Sequence, residues 1–245
     1  MGQRVSEAIV LRTWPFEEAD LLVSLLSRDQ GRIKGVARHA MRSRRRFGGA
    51  LEPMTHVRAT YTEKPKQELV RLDAFEILWS PLKDAVDYER TAALELVAEV
   101  LEEALPEQAP EDAVFRLAVA VTEQMQVGRV WMPVTYFALW MSRLMGWMPA
   151  LGHCVVCGLD LRGRTVWWSP AADGVTCADD RRGGSAALSA ASVVEARRIF
   201  QMPAEELAKE EWPRGRAGDL RDFAVGLLER HLERRIRSAR ALERS

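Results

Sequence analysis

The chain has 245 residues, with 35 Lys and Arg against 35 Asp and Glu and a hydrophobic content of 47%, enough for one or two domains with a sizeable core. No run of about 18 uncharged apolar residues occurs, so no membrane-spanning helix is expected, and Met1 to Val10, carrying Arg4 and Glu7, lacks the apolar centre of a signal peptide. Three cysteines, two of them in a Cys-x-x-Cys pair, fit a reducing compartment better than a disulfide framework; a cytoplasmic protein is expected.

Residues Glu7 to Leu78 read as β-rich. Glu7–Trp14, Asp20–Ser27 and Arg32–Ala37 are strand candidates, the second and third separated by the turn at Asp29-Gln30-Gly31. Thr55–Tyr61 and Glu68–Phe75 alternate with period two. Five short strands in about seventy residues suit a small closed barrel, because closure removes unpaired edges.

Within this region, Arg28 to Arg46 holds eight basic residues and one acid, Asp29. On a chain with no net charge, that clustering points to a polyanionic partner met at one surface. Arginine pairs with phosphate bidentately and stacks on bases. Gly31, Gly35, Gly48 and Gly49 flank the run and would let a ligand approach the backbone. Arg42, Arg44, Arg45 and Arg46 are the expected phosphate contacts, with Arg32, Lys34 and Arg38 extending the track. Trp14, Phe47 and Tyr61 are candidates for base stacking, and equally candidates for the barrel core.

The periodicity changes after Ser80-Pro81. Helical spacing predicts a helix over Asp87–Ala104, with Ala93, Leu94, Val97, Val100 and Leu101 on one face. A second is predicted over Glu111–Val127 and a third over Val134–Leu144. The third is apolar nearly all round, which implies burial. The wider segment Trp131–Trp147 holds more apolar side chains than one helix face buries, and Arg129 and Arg143 border it. It is either the core of a helical domain or a groove with an arginine rim. Irregular, strand-like sequence follows from Cys154 to Gly184, then helices over Ser189–Phe200 and Asp219–Arg240.

Cys154-Val155-Val156-Cys157-Gly158, followed by Cys177-Ala178-Asp179-Asp180, has zinc-ribbon spacing: two knuckles joined by a hairpin. The fourth ligand position holds Asp180 instead of a cysteine. A Cys₃Asp site would be weaker and more pH-sensitive than Cys₄, and His153 is a spare ligand candidate. Two readings stand: a structural zinc on Cys154, Cys157, Cys177 and Asp180, or a vacated site held by packing of Trp167 and Trp168.

No enzyme is expected. His39, His56 and His231 accompany no recognisable nucleophile motif, and no phosphate-binding glycine loop occurs. The acid pairs Glu17-Glu18, Glu102-Glu103 and Asp179-Asp180 read as solvated faces.

Four segments stand out together: Glu7–Arg12 with Glu17-Glu18-Ala19-Asp20; Gly31-Arg32-Ile33 through Arg46-Phe47-Gly48-Gly49-Ala50-Leu51-Glu52-Pro53; Trp140 to Pro149, ending Leu144-Met145-Gly146-Trp147-Met148-Pro149; and the Cys154–Gly158 knuckle. In these the chain resembles the RecO family of bacterial recombination mediators. Their order and spacing carry the likeness. Asp180 departs from it, since zinc-bearing relatives have a fourth cysteine there.

The resemblance implies an α+β chain: an N-terminal OB-fold β-barrel over residues 1–80, a helical domain over 81–150 and 185–245, and an embedded zinc-finger-like insert over 151–184. It implies a non-enzymatic protein that binds single- and double-stranded DNA and anneals strands. It also implies partnership with RecR, contact with the acidic, apolar tail of single-stranded DNA-binding protein through the Arg129 and Arg143 region, and indirect service to RecA loading. The alternative is a zinc-ribbon interaction or regulatory protein whose basic loop binds RNA or acidic protein segments.

Overall fold

The period-two segments close into a barrel. The computed structural model describes residues 2–64, 67–83, 87–126 and 129–244, the Arg44 side chain excepted. Five strands, β1 (Gly2–Pro15), β2 (Leu21–Ser27), β3 (Gly31–Ala37), β4 (His56–Glu63) and β5 (Val70–Trp79), close in the order β1-β2-β3-β5-β4. β1 pairs with two neighbours, Gly2–Ile9 with β4 and Ala8–Pro15 with β2, both antiparallel. A register shift between Val10 and Arg12 lies in the second pairing, and such an extra residue bends and twists a strand. β3 and β5 meet in parallel, Gly35 opposite Val70. That pairing seals what would otherwise be two open edges.

Alternation decides what fills the barrel. Ala8 and Val10 of β1, Val23 and Leu25 of β2, Ile33 and Ala37 of β3, Val57, Ala59 and Tyr61 of β4, and Leu72 and Phe75 of β5 form one buried cluster. Ile9, Leu11 and Leu26 have opposite parity and are also buried. α2 (Tyr88–Ala104) packs against β1 and covers part of that outer surface. Asp87 caps α2, its carboxylate accepting from the Arg90 N–H at 3.0 Å.

Between β3 and β4 the chain makes a 3₁₀ turn, Ala40–Arg42, and a short helix, α1 (Arg44–Phe47). Phe47 and Ala50 join the barrel core, and Phe47 meets Phe75 edge to face at 5.4 Å.

The remaining helices are α3 (Asp112–Gln124), α4 (Trp131–Leu144), α5 (Ala190–Ile199), α6 (Ala204–Leu207), α7 (Gly218–His231) and α8 (Arg237–Glu243). Contacts divide the described chain into two units. One holds the barrel, α2, α3 as far as Thr122, and α8; the other holds α4 to α7. The expected end of α3 at Val127 lies outside the described residues. α4 begins at Trp131, three residues before the expected Val134. Pro133 sits in its first turn, where a missing N–H costs nothing.

The long helix expected over Asp219–Arg240 is two helices. Glu233 takes a left-handed φ of 54°. The Glu229 carboxylate then accepts from the Ile236 N–H at 2.9 Å, and the Glu99 carboxylate accepts from the N–H groups of Arg237 and Ser238. A side-chain carboxylate on the first amides starts a new helix there.

α4 is buried nearly all round as its composition predicted, including Val134, Phe137, Leu139 and Met141, with Arg143 and Leu144 exposed at its end. It is the core of its unit, so burial accounts for the excess of apolar side chains. The same unit carries a three-stranded sheet in the order β7-β6-β8, from β6 (Val166–Trp168), β7 (Val175–Thr176) and β8 (Ala186–Leu188). Trp168 packs edge to face on Phe223 of α7 at 5.2 Å. No helix among the described residues is long and apolar enough to cross a membrane.

Candidate nucleic-acid interface and metal cluster

The basic stretch divides into two populations. Arg32 is turned into its own unit. Its side chain is 13% exposed, Nε donates to the Leu105 carbonyl at 2.9 Å, and NH1 meets Glu102 at 3.0 Å and Glu107 at 3.3 Å. Lys34 Nζ lies 2.7 Å from the same Glu107. That contact, set against some burial, holds the Glu107 carboxyl below the usual range. Glu102 also accepts from the Ser24 hydroxyl at 2.5 Å and has an 11% exposed side chain. It is therefore an interior ion-pair residue and not part of a solvated face.

The glycines divide likewise. A Cβ on Gly31 would lie 2.2 Å from the Ala109 carbonyl oxygen, and one on Gly35 would lie 2.7 Å from Val70. Both make room for the chain's own packing. Gly49, with φ of 72°, has open space around it.

Arg38, Arg42 and Arg45 are exposed. Arg42 reaches Glu18 only at 3.7 Å, between two side chains that are 71% and 94% exposed. Arg46 is half-buried: it donates to the Arg38 carbonyl at 2.6 Å and the Ser43 hydroxyl at 3.2 Å, and lies over the Phe47 ring. The Arg44 side chain lies outside the described set. The segment is thus two-faced, with Phe47 and Ala50 in the barrel and arginines on the solvent side. Beside it, Val36, Arg38, Lys64, Gln67, Glu68, Leu69, Val70 and Arg71 line an open cleft of about 510 Å³.

Of the stacking candidates, Phe47 and Tyr61 are core residues, 2% and 1% exposed. Trp14 is half-buried, with the Arg12 guanidinium 5.2 Å from its ring.

The second cluster lies on the knuckle and hairpin. The ligand atoms of Cys154, Cys157, Cys177 and Asp180 all fall within 4.8 Å of one another. Cys157 Sγ and Cys177 Sγ are 3.9 Å apart. Asp180 Oδ2 accepts from Cys154 Sγ at 3.2 Å and from Cys177 Sγ at 3.1 Å. Tetrahedral zinc, with Zn–S of about 2.3 Å and Zn–O of about 2.0 Å, separates its ligands by roughly 3.5–3.8 Å. The four donors fit that set with small adjustments. His153 is outside it.

The electrostatics agree. Burial raises the Cys154 thiol, but the N–H groups of Cys157, Cys177 and Val156 turn toward its sulfur and bring it below the usual value. The bond to Asp180 pushes Cys157 up to about 12, and the three thiols lower Asp180. A divalent cation would replace the shared protons.

Arg129 and Arg143 are both exposed but stand at opposite ends of α4, about 20 Å apart at 1.5 Å per residue. Arg143 lies over two half-buried rings, Phe200 at 4.6 Å and Trp140 at 5.5 Å.

A five-stranded barrel in this order, closed by a parallel β3–β5 pairing and followed by helices and a small sheet whose hairpin and knuckle carry a three-thiol cluster, defines a protein with an N-terminal OB-fold. The family models "Recombination protein O N terminal" and "Recombination protein O C terminal" match residues 1–81 and 85–240. A "DNA repair protein RecO" of Koribacter versatilis is 53% identical over 239 residues, covering 98% of each chain. Another, from Anaeromyxobacter sp. (strain Fw109-5), is 31% identical, covering 96% of this chain and 93% of the other. The chain belongs to the RecO family of DNA repair proteins.

Proposed function

We propose that this protein is a non-enzymatic recombination mediator of the cytoplasm that binds single- and double-stranded DNA and anneals complementary strands. The observation that carries this reading is the two-faced segment after β3, anchored in the barrel by Phe47 and presenting Arg42 and Arg45 to solvent. Arginines on an OB barrel suit contact along a phosphate backbone.

Each phosphate contact contributes about 0.7 to the logarithmic salt slope on single strands. Replacing Arg42, Arg44 and Arg45 together with Ala should weaken binding to all sequences and flatten the slope by about 2. Annealing without ATP or divalent metal should fall with it. A folded triple variant with unchanged slope would refute the reading.

Partnership with RecR, contact with the tail of single-stranded DNA-binding protein and support of RecA loading belong to the same proposal. Arg143 over Trp140 and Phe200 offers charge beside aromatic surface, suited to an acidic peptide with an apolar end. About six extended residues would span from there to Arg129. Fluorescence anisotropy with a labelled tail peptide should show binding that Arg143→Glu abolishes while oligonucleotide binding persists. Binding no better than that of a scrambled acidic peptide would place the tail elsewhere.

Zinc on Cys154, Cys157, Cys177 and Asp180 is proposed in a structural role. It would tie the Cys154–Gly158 knuckle to the end of the β6–β7 hairpin.

A further inference from the structure

Among the described residues 2–79, Phe16 is the one exposed Phe, Tyr or Trp side chain, at 47%. It opens the loop between β1 and β2, and this loop is not free. The Phe16 N–H donates to the Asp20 carbonyl at 3.1 Å, and the Asp20 N–H donates to the Glu17 carbonyl at 3.4 Å. Asp20 is buried, and its carboxylate accepts from the His39 N–H at 2.7 Å. The Met41 N–H donates to the Ala19 carbonyl at 3.2 Å, and Glu18 faces Arg42. The loop is therefore joined by two hydrogen bonds to the start of the 3₁₀ turn that begins the arginine segment.

An exposed ring on a loop tied by hydrogen bonds to the arginine segment is what a single strand requires. Bases stack on aromatic faces while the backbone follows positive charge, and a preordered loop loses little entropy on binding. We propose that Phe16 is a base-stacking residue that makes the barrel favour unpaired strands over duplex. This rests on reading the arginine segment as a nucleic-acid surface.

The local charges set the strand's orientation. Glu17 and Glu18 follow Phe16 directly and are exposed, so they repel phosphates from the loop but not bases. The phosphates then lie along Arg42 and Arg45, with the bases turned toward Phe16. A duplex cannot adopt this arrangement, because its bases are enclosed and its phosphates face outward. It keeps the arginine contacts alone.

The test uses the full chain with one labelled single-stranded oligonucleotide, the same sequence as a duplex, and a single strand carrying 2-aminopurine. Phe16→Ala should weaken single-strand binding about fivefold to 150-fold, the range for loss of one stacked base. Duplex affinity and both salt slopes should stay unchanged. The wild type should quench 2-aminopurine and Phe16→Ala should not. Phe16→Trp should restore affinity and quenching, whereas Phe16→Leu should not. Phe16 is exposed, so the variants should melt with the wild type. Unchanged single-strand affinity in Phe16→Ala, an equal loss on duplex, or rescue by Leu would overturn stacking while leaving DNA binding intact. A wild type that binds neither strand form would overturn the underlying reading as well.

Discussion

Arg32 and Arg45 differ little in sequence, each being an arginine in a basic stretch, yet they face different partners. Arg32 donates to a carbonyl and to two carboxylates of its own unit, and Glu102 opposite it is nearly enclosed. Removing one member of such a pair leaves the other charge without compensation. Arg32→Ala should lower stability by about 2–3 kcal/mol and leave the salt slope of oligonucleotide binding unchanged. Arg45→Ala should do the reverse, with a stability change within about 0.5 kcal/mol and a slope lower by about 0.7. Urea midpoints and salt titrations on the two variants separate them; a reduced slope with full stability in Arg32→Ala would place Arg32 at the interface instead. The difference was not legible because Glu102 and Glu107 lie some seventy positions away. Local charge patterning gives the sign of a patch but not which members are already paired. Phe16 was missed for a related reason: Phe47 and Tyr61 stand beside basic or strand-like sequence, but strand alternation turns Tyr61 into the barrel and the short helix α1 turns Phe47 the same way.

At the scale of elements, the strands were legible because one-sided burial writes alternation into the sequence. Five short strands also pointed to a closed barrel, but not to which strands seal it, since the parallel β3–β5 contact joins segments with no local signal for each other. The helix break at Glu233 was hidden because Leu232 and Ile236 keep helical spacing across it, while the break depends on Glu229 and the distant Glu99. The metal cluster was legible as a spacing, and the fold brings its four donors together. Cys154→Ser should remove a buried donor of the cluster, release the zinc proposed there and lower the melting temperature. Asp180→Cys should complete a four-thiolate set, raise zinc retention against a chelator and carry retention to lower pH, because the weakest donor is replaced. Metal analysis of purified protein, with melting curves before and after chelation, checks both. A wild type that contains no zinc and melts identically with chelator would leave only packing around Trp167 and Trp168.

Across the molecule, equal numbers of acids and bases do not mean uniform neutrality. The balance is met by local pairing: Arg28 with Asp112 and Glu7, Arg32 with Glu102, and Arg198 and Arg216 around Glu210 and Glu195. After β3, Arg38, Arg42 and Arg45 stay exposed, Arg42 with Glu18 only at 3.7 Å, which leaves their charge available to the polyanion proposed above. This pairing also sets the response to acid. Hydrogen bonds from Arg198 and Arg216 bring the Glu210 carboxyl down to about 2. A depressed carboxyl contributes stability that is fully present above its unfolded value, near 4.3, and is lost as pH falls through the folded value. Wild type should therefore exceed Glu210→Gln in urea midpoint at pH 6, and the gap should narrow below about 4.3 and close near pH 2. His231 acts in an earlier window. Stacked on Trp147 at 5.0 Å, it is held below its usual value by burial and by Arg230. A base lowered in the fold is protonated more readily when unfolded, so it costs stability as pH falls through about 6.5. His231→Gln should remove that first loss and leave the Glu210 step intact. Urea midpoints measured from pH 8 to pH 2 on the three proteins would separate the two windows. A single coincident transition in all three would show that neither local network governs the acid response.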